Sequence, residues 1–127
     1  MPENEKQLKP SKNQITVLRE TARIELNHGF VTIVDTEDLP RIKNYKWRAV
    51  KSSRLWYVKT TVGSPSHRVD LSLHRMIAKT PRFQVCHHNN RNSMDNRKVN
   101  LSNMDKLFHS MLHRMNNCIV KFEQKNN

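Results

Sequence analysis

The chain has 127 residues, which is room for one domain, and 23 basic against 11 acidic residues give a formal net charge of +12. No apolar run is long enough for a transmembrane helix, and the polar N-terminal residues show no secretory signal. Two cysteines are too few for a disulfide framework, so we expect a reducing, cytoplasmic compartment. No membrane partner is expected.

The positive charge indicates a polyanionic partner, and nucleic acid is favoured over an anionic membrane surface or an acidic protein. A run of basic side chains occupies residues 41–59, where no acidic residue interrupts it and two tryptophans and two tyrosines lie within it. We expect this stretch to contact phosphates through Lys46, Arg48, Lys51 and Arg54. The alternative is a solvated sheet face that covers two core tryptophans.

Residues 1–14 are polar and aperiodic, which predicts a disordered tail before a single compact domain over residues 15–127. Residues 23–35 contain two short apolar runs joined at Asn-His-Gly, which predicts a hairpin. A short helix is expected next, capped by Asp35 or Thr36 and carrying acidic side chains in its first turn.

Residues 46–51 and 54–62 are rich in β-forming residues and are separated by two serines, which predicts a second hairpin. A loop follows at residues 63–66, and the alternation in RVDLSL predicts another strand. Residues 73–78 are expected to begin a short helix. These elements together predict a small, mostly antiparallel N-terminal sheet.

A clear amphipathic pattern spans residues 103–116 and predicts a helix whose apolar face packs on the N-terminal sheet. Ser102 and Asp105 stand at capping-box spacing before it. Two asparagines at 116 and 117 are expected to end the helix, and residues 118–122 are expected to form a last short strand. The apolar stripe consists of Met104, Leu107, Phe108, Met111, Leu112 and Met115.

Four of the seven histidines lie close together in the sequence, at positions 87, 88, 109 and 113. His109 and His113 are one helical turn apart, so they share a face that points mostly away from the apolar stripe. Two imidazoles at this spacing are a common helical metal-binding pair. The alternative is a helix with two surface histidines.

His87 and His88 are adjacent, and adjacent side chains on an extended backbone point to opposite faces. One histidine could therefore bind a metal while its neighbour faces a substrate. A neutral imidazole can take a proton from water near neutral pH, and a nearby cation can stabilise the charge on a phosphodiester. The asparagine-rich loop that follows can hold a tight irregular turn without glycine.

The segment VCHHNNRNSMDNRKVNL at residues 85–101 resembles the HNH endonuclease motif, the ββα-metal finger. The opening histidine pair, the Asp-Asn-Arg triplet at 95–97 and the Asn-Leu pair at 100–101 match that motif. Residues 29–47 and the phrase His-Arg-Met-Ile at 74–77 are similar to phage-type HNH proteins. The resemblance implies an α+β fold, in which a small antiparallel N-terminal sheet precedes a ββα-metal finger at residues 84–116.

The resemblance implies metal-dependent hydrolysis of DNA that nicks one strand. His88 is then the general base, and Asn96 braces the loop that orients it. His87, His109 and His113 would hold one divalent ion, with Mg²⁺ or Mn²⁺ for turnover and Zn²⁺ or Ni²⁺ as tighter binders. The β-rich part at residues 23–80 would bind duplex DNA, mostly through its backbone. Further phosphate contacts are expected from Arg75, Arg91 and Arg97.

Two departures from the motif stand out: His87 takes a position where relatives often have Asp, and Asn90 and Arg91 replace the usual glycine. A non-catalytic nucleic-acid-binding module with a structural metal site is the main alternative, and a nuclease toxin is a third. His74 is expected to be a histidine packed between a strand and a helix. Cys86 and Cys118 are expected to be free thiols, and the oligomeric state stays open.

Overall fold

The computed structural model describes residues 13–126, with side chains up to residue 117, and has a mixed α+β fold. Its first antiparallel sheet has three strands in the order β1 (Ile15–Leu18), β2 (Thr21–Glu25) and β3 (Val31–Asp35). A short 3-10 turn at Asn27–Gly29 joins β2 to β3, which confirms the predicted hairpin. Strand β1 was not predicted, because its four residues carry no clear alternation.

A second sheet has the order β4 (Arg48–Ser52), β5 (Leu55–Ser64) and β6 (His67–Ser72), with every neighbour antiparallel. The predicted turn at the two serines is confirmed, and Ser53 adopts a φ of 58° there. The N-terminal part therefore contains two sheets, whereas one was predicted. The predicted loop at residues 63–66 is shorter than expected, because β5 continues through Ser64.

Two short helices connect these sheets to the rest of the chain. Helix α1 (Leu39–Ile42) follows a 3-10 turn, and α2 (Leu73–Ala78) has the predicted bounds. The expected side-chain cap of α1 is absent among the described hydrogen bonds. Asp35 instead accepts a bond from the Lys98 backbone at 2.8 Å, and Thr36 donates to the Arg19 carbonyl at 2.7 Å.

The third sheet is an antiparallel pair, β7 (Gln84–His88) and β8 (Leu101–Asp105), followed at once by α3 (Lys106–Asn126). The predicted start of the long helix at residue 103 is wrong, because residues 101–105 pair with β7. Asp105 alone caps the helix, since its Oδ1 accepts the Phe108 backbone N–H at 2.7 Å.

Helix α3 differs from the prediction at its other end as well. It continues past the two asparagines through residues 118–122, where a strand was predicted. Its apolar face does not pack on a sheet: Leu107 is 68% exposed and Met115 is 58% exposed. The opposite face, which carries the histidines, lies against β7 instead. No helix among the described residues is long and apolar enough to cross a membrane.

The core lies between the first two sheets and the short helices. Trp47 is buried in it, and its indole N–H donates to the Ile42 carbonyl at 2.8 Å. The disordered tail was predicted to extend through residue 14, but Asn13 is already ordered. Its side chain is hydrogen-bonded to both the N–H and the carbonyl of Trp47. Residues 1–12 of that tail lie outside the described residues. The buried core residues are Ala22, Ile24, Val34, Ile42, Trp47, Val58, Leu73 and Ile77.

The turn between β5 and β6 depends on the glycine at position 63. Gly63 has a φ of +101°, and an added Cβ would lie 2.1 Å from the His67 carbonyl oxygen. Gly29 also has a positive φ, +76°, but nothing lies within 4 Å of its would-be Cβ.

We therefore expect Gly63→Ala to lower the free energy of unfolding by more than about 2 kcal/mol, and Gly29→Ala by about 1 kcal/mol. Urea unfolding of both variants tests this, and equal losses would contradict it.

Candidate functional site

Three histidines meet where β7 lies against α3. The His87 ring centroid on β7 is 5.3 Å from that of His109 and 5.8 Å from that of His113. The Nε2 atoms of His109 and His113 are 3.1 Å apart. One ring nitrogen from each histidine lies within 4.8 Å of the other two, so the structure brings the predicted metal ligands together.

The donor set of this cluster fits a divalent ion. Metal–nitrogen bonds of about 2.1 Å in a tetrahedral site place ligand atoms roughly 3.4 Å apart, so small side-chain movements suffice. Burial, together with the neighbouring imidazoles, lowers the pKa of His87 and of His109. Both rings are therefore neutral at pH 7, as metal binding requires. Three protein nitrogens leave coordination positions for water or substrate, which is typical of catalytic rather than structural sites.

His88 points to the other side of β7 and is only 8% exposed. Its Nε2 lies 2.8 Å from Asn96 Oδ1. Because an amide oxygen only accepts hydrogen bonds, Nε2 carries the proton and Nδ1 keeps a free lone pair. Burial lowers the pKa of His88, although the bond to Asn96 partly opposes that shift. A neutral ring with an unprotonated Nδ1 can accept a proton.

Hydrogen bonds among its own side chains stabilise the asparagine-rich loop between β7 and β8. The Asn90 amide donates to Asp95 at 2.8 Å, and the Asn100 amide donates to Asn90 at 2.9 Å. Arg91 has a φ of 64°, a left-handed conformation that favours glycine. Arg91 thus takes a turn conformation that favours glycine, and the bonds among the asparagines stabilise this loop.

Both N-terminal sheets hold this loop in place. The Ile33 backbone N–H donates to the Met94 carbonyl at 2.9 Å, and the Asn96 N–H donates to the Ile33 carbonyl at 2.8 Å. The Ser93 hydroxyl donates to the Trp56 carbonyl on β5. The loop therefore adds a short parallel bridge to the edge of β3, and this bridge places Asn96 beside His88.

The two groups of histidines line one groove of about 460 Å³ between the second sheet, β7 and α3. Alternation along β5 puts Tyr57 and Lys59 on the face that borders it, opposite the buried Val58. Both belong to the basic stretch at residues 41–59, although neither was among the residues singled out there for phosphate contacts. The groove is lined by His74, His87, His88, His109 and His113, among others.

His74 lies between Tyr57 and His88, with ring centroids 5.8 Å and 4.9 Å away. Its position at the start of α2, against β5 and β7, agrees with the expected packed histidine. Burial lowers the pKa of His74 to about 3, and the nearby His88 contributes to the shift. His74 therefore forms a neutral wall of the groove beside the His88 ring.

The predicted phosphate-binding residues have different surroundings in the structure. Arg75 donates to the backbone carbonyls of Gln84 and Pro81, at 2.8 and 3.1 Å, and Arg97 forms two bonds to Asp95. Of the predicted set, Arg91 lines the groove together with Arg75. Lys46 and Arg48 border a separate pocket with Thr60 and Thr61, and Lys51 and Arg54 are exposed.

The two thiols were predicted to be free. Cys86 is a free cysteine, its Sγ donates to the His74 carbonyl, and burial raises the pKa of the thiol. Cys118 lies outside the described side chains.

No protein-family model, no curated protein and no solved structure matches the chain.

Metal binding by the histidine cluster can be measured without any activity. We expect Zn²⁺ at about a hundred times its Kd to raise the free energy of unfolding by about 2.7 kcal/mol at pH 7.5. His109→Ala should abolish this increase, because it removes one of three nitrogens. His67→Ala changes an exposed histidine outside the cluster and should leave the increase intact. An undiminished Zn²⁺ effect in His109→Ala would place the bound ion elsewhere.

The low pKa of His74 makes stability depend on pH. Below about pH 6.5 the unfolded chain protonates this histidine, whereas the folded protein does so only near pH 3. The free energy of unfolding should therefore be highest above pH 7 and fall as the pH drops from about 6.5 towards 3. His74→Phe keeps an aromatic ring without the titration, so its slope should be smaller by up to about 1.4 kcal/mol per pH unit. Urea titrations with EDTA at pH 7.5, 5.5 and 4.5 test this, and an unchanged slope argues against it.

Proposed function

We propose that this protein is a metal-dependent endonuclease of the HNH type, which hydrolyses phosphodiester bonds of DNA. One observation carries the proposal: His87 and His88 are adjacent on β7, and His87 belongs to the three-histidine cluster while His88 is the buried histidine bonded to Asn96. Both histidines line the same groove. A phosphodiester in that groove would have a cation site and a proton acceptor within reach.

His87, His109 and His113 would hold the divalent ion. The bound ion supplies positive charge that stabilises the negative charge developing on the phosphate. Imidazole nitrogens suit Zn²⁺ and Ni²⁺ better than Mg²⁺, whose preferred ligands are oxygens. The proposal therefore names Zn²⁺ or Ni²⁺ as the tighter binders, while Mg²⁺ and Mn²⁺ are candidates for turnover.

His88 would act as the general base. Its Nδ1 accepts a proton from the attacking water, and its Nε2–H stays bonded to Asn96. Asn96 touches neither the reacting atoms nor the metal ligands and works by holding the imidazole ring. The low exposure of His88 limits ring rotation, so the acceptor lone pair keeps one direction.

Duplex DNA is the proposed substrate, recognised mainly through its backbone. Lys59 and Arg91 border the groove and can compensate phosphate charge, and the net charge of +12 favours association with a polyanion. One site of this kind cuts one strand, so we propose nicking as the primary event.

Nicking of supercoiled plasmid tests the proposal. Wild-type protein with Mg²⁺, Mn²⁺, Zn²⁺ or Ni²⁺ should convert supercoiled DNA to open circles, and EDTA should stop the reaction. His88→Ala should lower the rate by about 10²–10⁴-fold, because general-base catalysis contributes that much. His67→Ala, at the exposed start of β6, should cut at the wild-type rate.

Gel-shift measurements on the same proteins separate cutting from binding. His88→Ala should bind DNA with wild-type affinity, since His88 is buried and carries no net charge. If no metal supports cutting and all three proteins shift DNA equally, the nuclease proposal fails. A nucleic-acid-binding module with a bound metal is then the better interpretation.

A further inference from the structure

We propose that Thr32 is a positioning residue that fixes the tautomer of His88, acting through the side-chain amide of Asn96. This inference rests on the proposed general-base role of His88 for its catalytic consequence. Its structural content, which ring nitrogen carries the proton, is independent of any activity. Thr32 lies on β3, far from the histidine motif in the sequence, and is fully buried.

The Thr32 hydroxyl has only one proton to give. Its Oγ1 lies 2.8 Å from the Met94 carbonyl oxygen, which can only accept, so the hydroxyl proton is used there. The Asn96 amide nitrogen lies 2.8 Å from the same Oγ1. Oγ1 must therefore accept this second bond, and only the NH₂ end of the amide can donate it.

This arrangement selects one of the two orientations of the Asn96 amide. With nitrogen towards Thr32, Oδ1 faces His88 Nε2 and requires a proton on that atom. A flipped amide would put two acceptors, Oδ1 and Oγ1, against each other. It would also present NH₂ to His88 Nε2, which would then have to be unprotonated, with the proton on Nδ1. That tautomer directs its lone pair at Asn96, away from the attacking water.

Burial of Asn96 and His88 makes the flipped orientation of the amide unfavourable. Asn96 is 1% exposed and His88 is 8% exposed, so water cannot easily satisfy a misoriented amide. The Met94 carbonyl that uses the Thr32 proton is itself held by the Ile33 N–H at 2.9 Å. The Ser93 carbonyl is a second, longer acceptor for the Asn96 nitrogen at 3.3 Å. Loss of the Thr32 hydroxyl should therefore weaken the preference rather than abolish it.

The test compares Thr32→Val, which keeps the shape but loses the hydroxyl, with Thr32→Ser, which keeps the hydroxyl. Nitrogen-15 spectra of histidine-labelled protein, recorded with EDTA at about pH 8, distinguish protonated from unprotonated ring nitrogens. His88→Gln assigns the His88 signals. We expect Nε2–H in wild type and Thr32→Ser, and a mixture of both tautomers in Thr32→Val.

Cutting rates then test the catalytic consequence. Thr32→Val should lower kcat about tenfold without changing DNA affinity, because one buried hydrogen bond no longer orients the base. Thr32→Ser should retain most of the wild-type rate. A Thr32→Val protein with an unchanged tautomer and rate, or an Nδ1–H tautomer in wild type, overturns the inference. Because the wild-type spectrum, assigned with His88→Gln, needs neither Thr32→Val nor DNA, poor folding of Thr32→Val or failure of the nuclease proposal would not obscure that answer.

Discussion

The buried amide of Asn96 is the constraint on which the candidate site depends. It bonds to His88 on β7, to Thr32 on β3 and to the Ser93 carbonyl of its own loop. Leaving any of these buried groups unpaired would cost about 1–3 kcal/mol, so the amide has little freedom to move. The first sheet, the loop and the third sheet are thereby joined at one point. A small protein with a modest core uses this polar junction to hold a histidine in one orientation.

The junction of β8 and α3 determines where His109 and His113 lie relative to His87. The helix begins directly after the strand, with Asp105 as its cap, so its direction is set by the β7–β8 pair. That direction turns the face with His109 and His113 towards His87. The more apolar face of the helix is left exposed, because no described element lies beyond it. The described part of the helix therefore brings its histidines to β7 while most of its apolar stripe stays exposed.

Several arginines form hydrogen bonds within the protein itself. Arg75 and Arg97 were natural candidates for phosphate contacts, yet each guanidinium is engaged by carbonyl or carboxylate oxygens of the protein itself. Arg41 likewise pairs with the buried Asp38, which also accepts from Lys98 at 3.1 Å. Part of the positive charge therefore stabilises loops and short helices. Lys59 belongs to the basic stretch of the sequence, and the pairing of β5 with its neighbours places it at the groove.

Short-range patterns in the sequence were sufficient for the hairpins, for α2 and for the division of His87 and His88 between two faces of one strand. These features depend on the period of a strand and on turn residues, which act within a few positions. Tertiary structure decided the orientation of α3, the exposure of its apolar face and the presence of Thr32, Lys59 and His74 around the site. Such features depend on which elements are neighbours in space. Thr32 and Asn96 are far apart in the chain, and no local pattern links a strand residue to an amide in a distant loop.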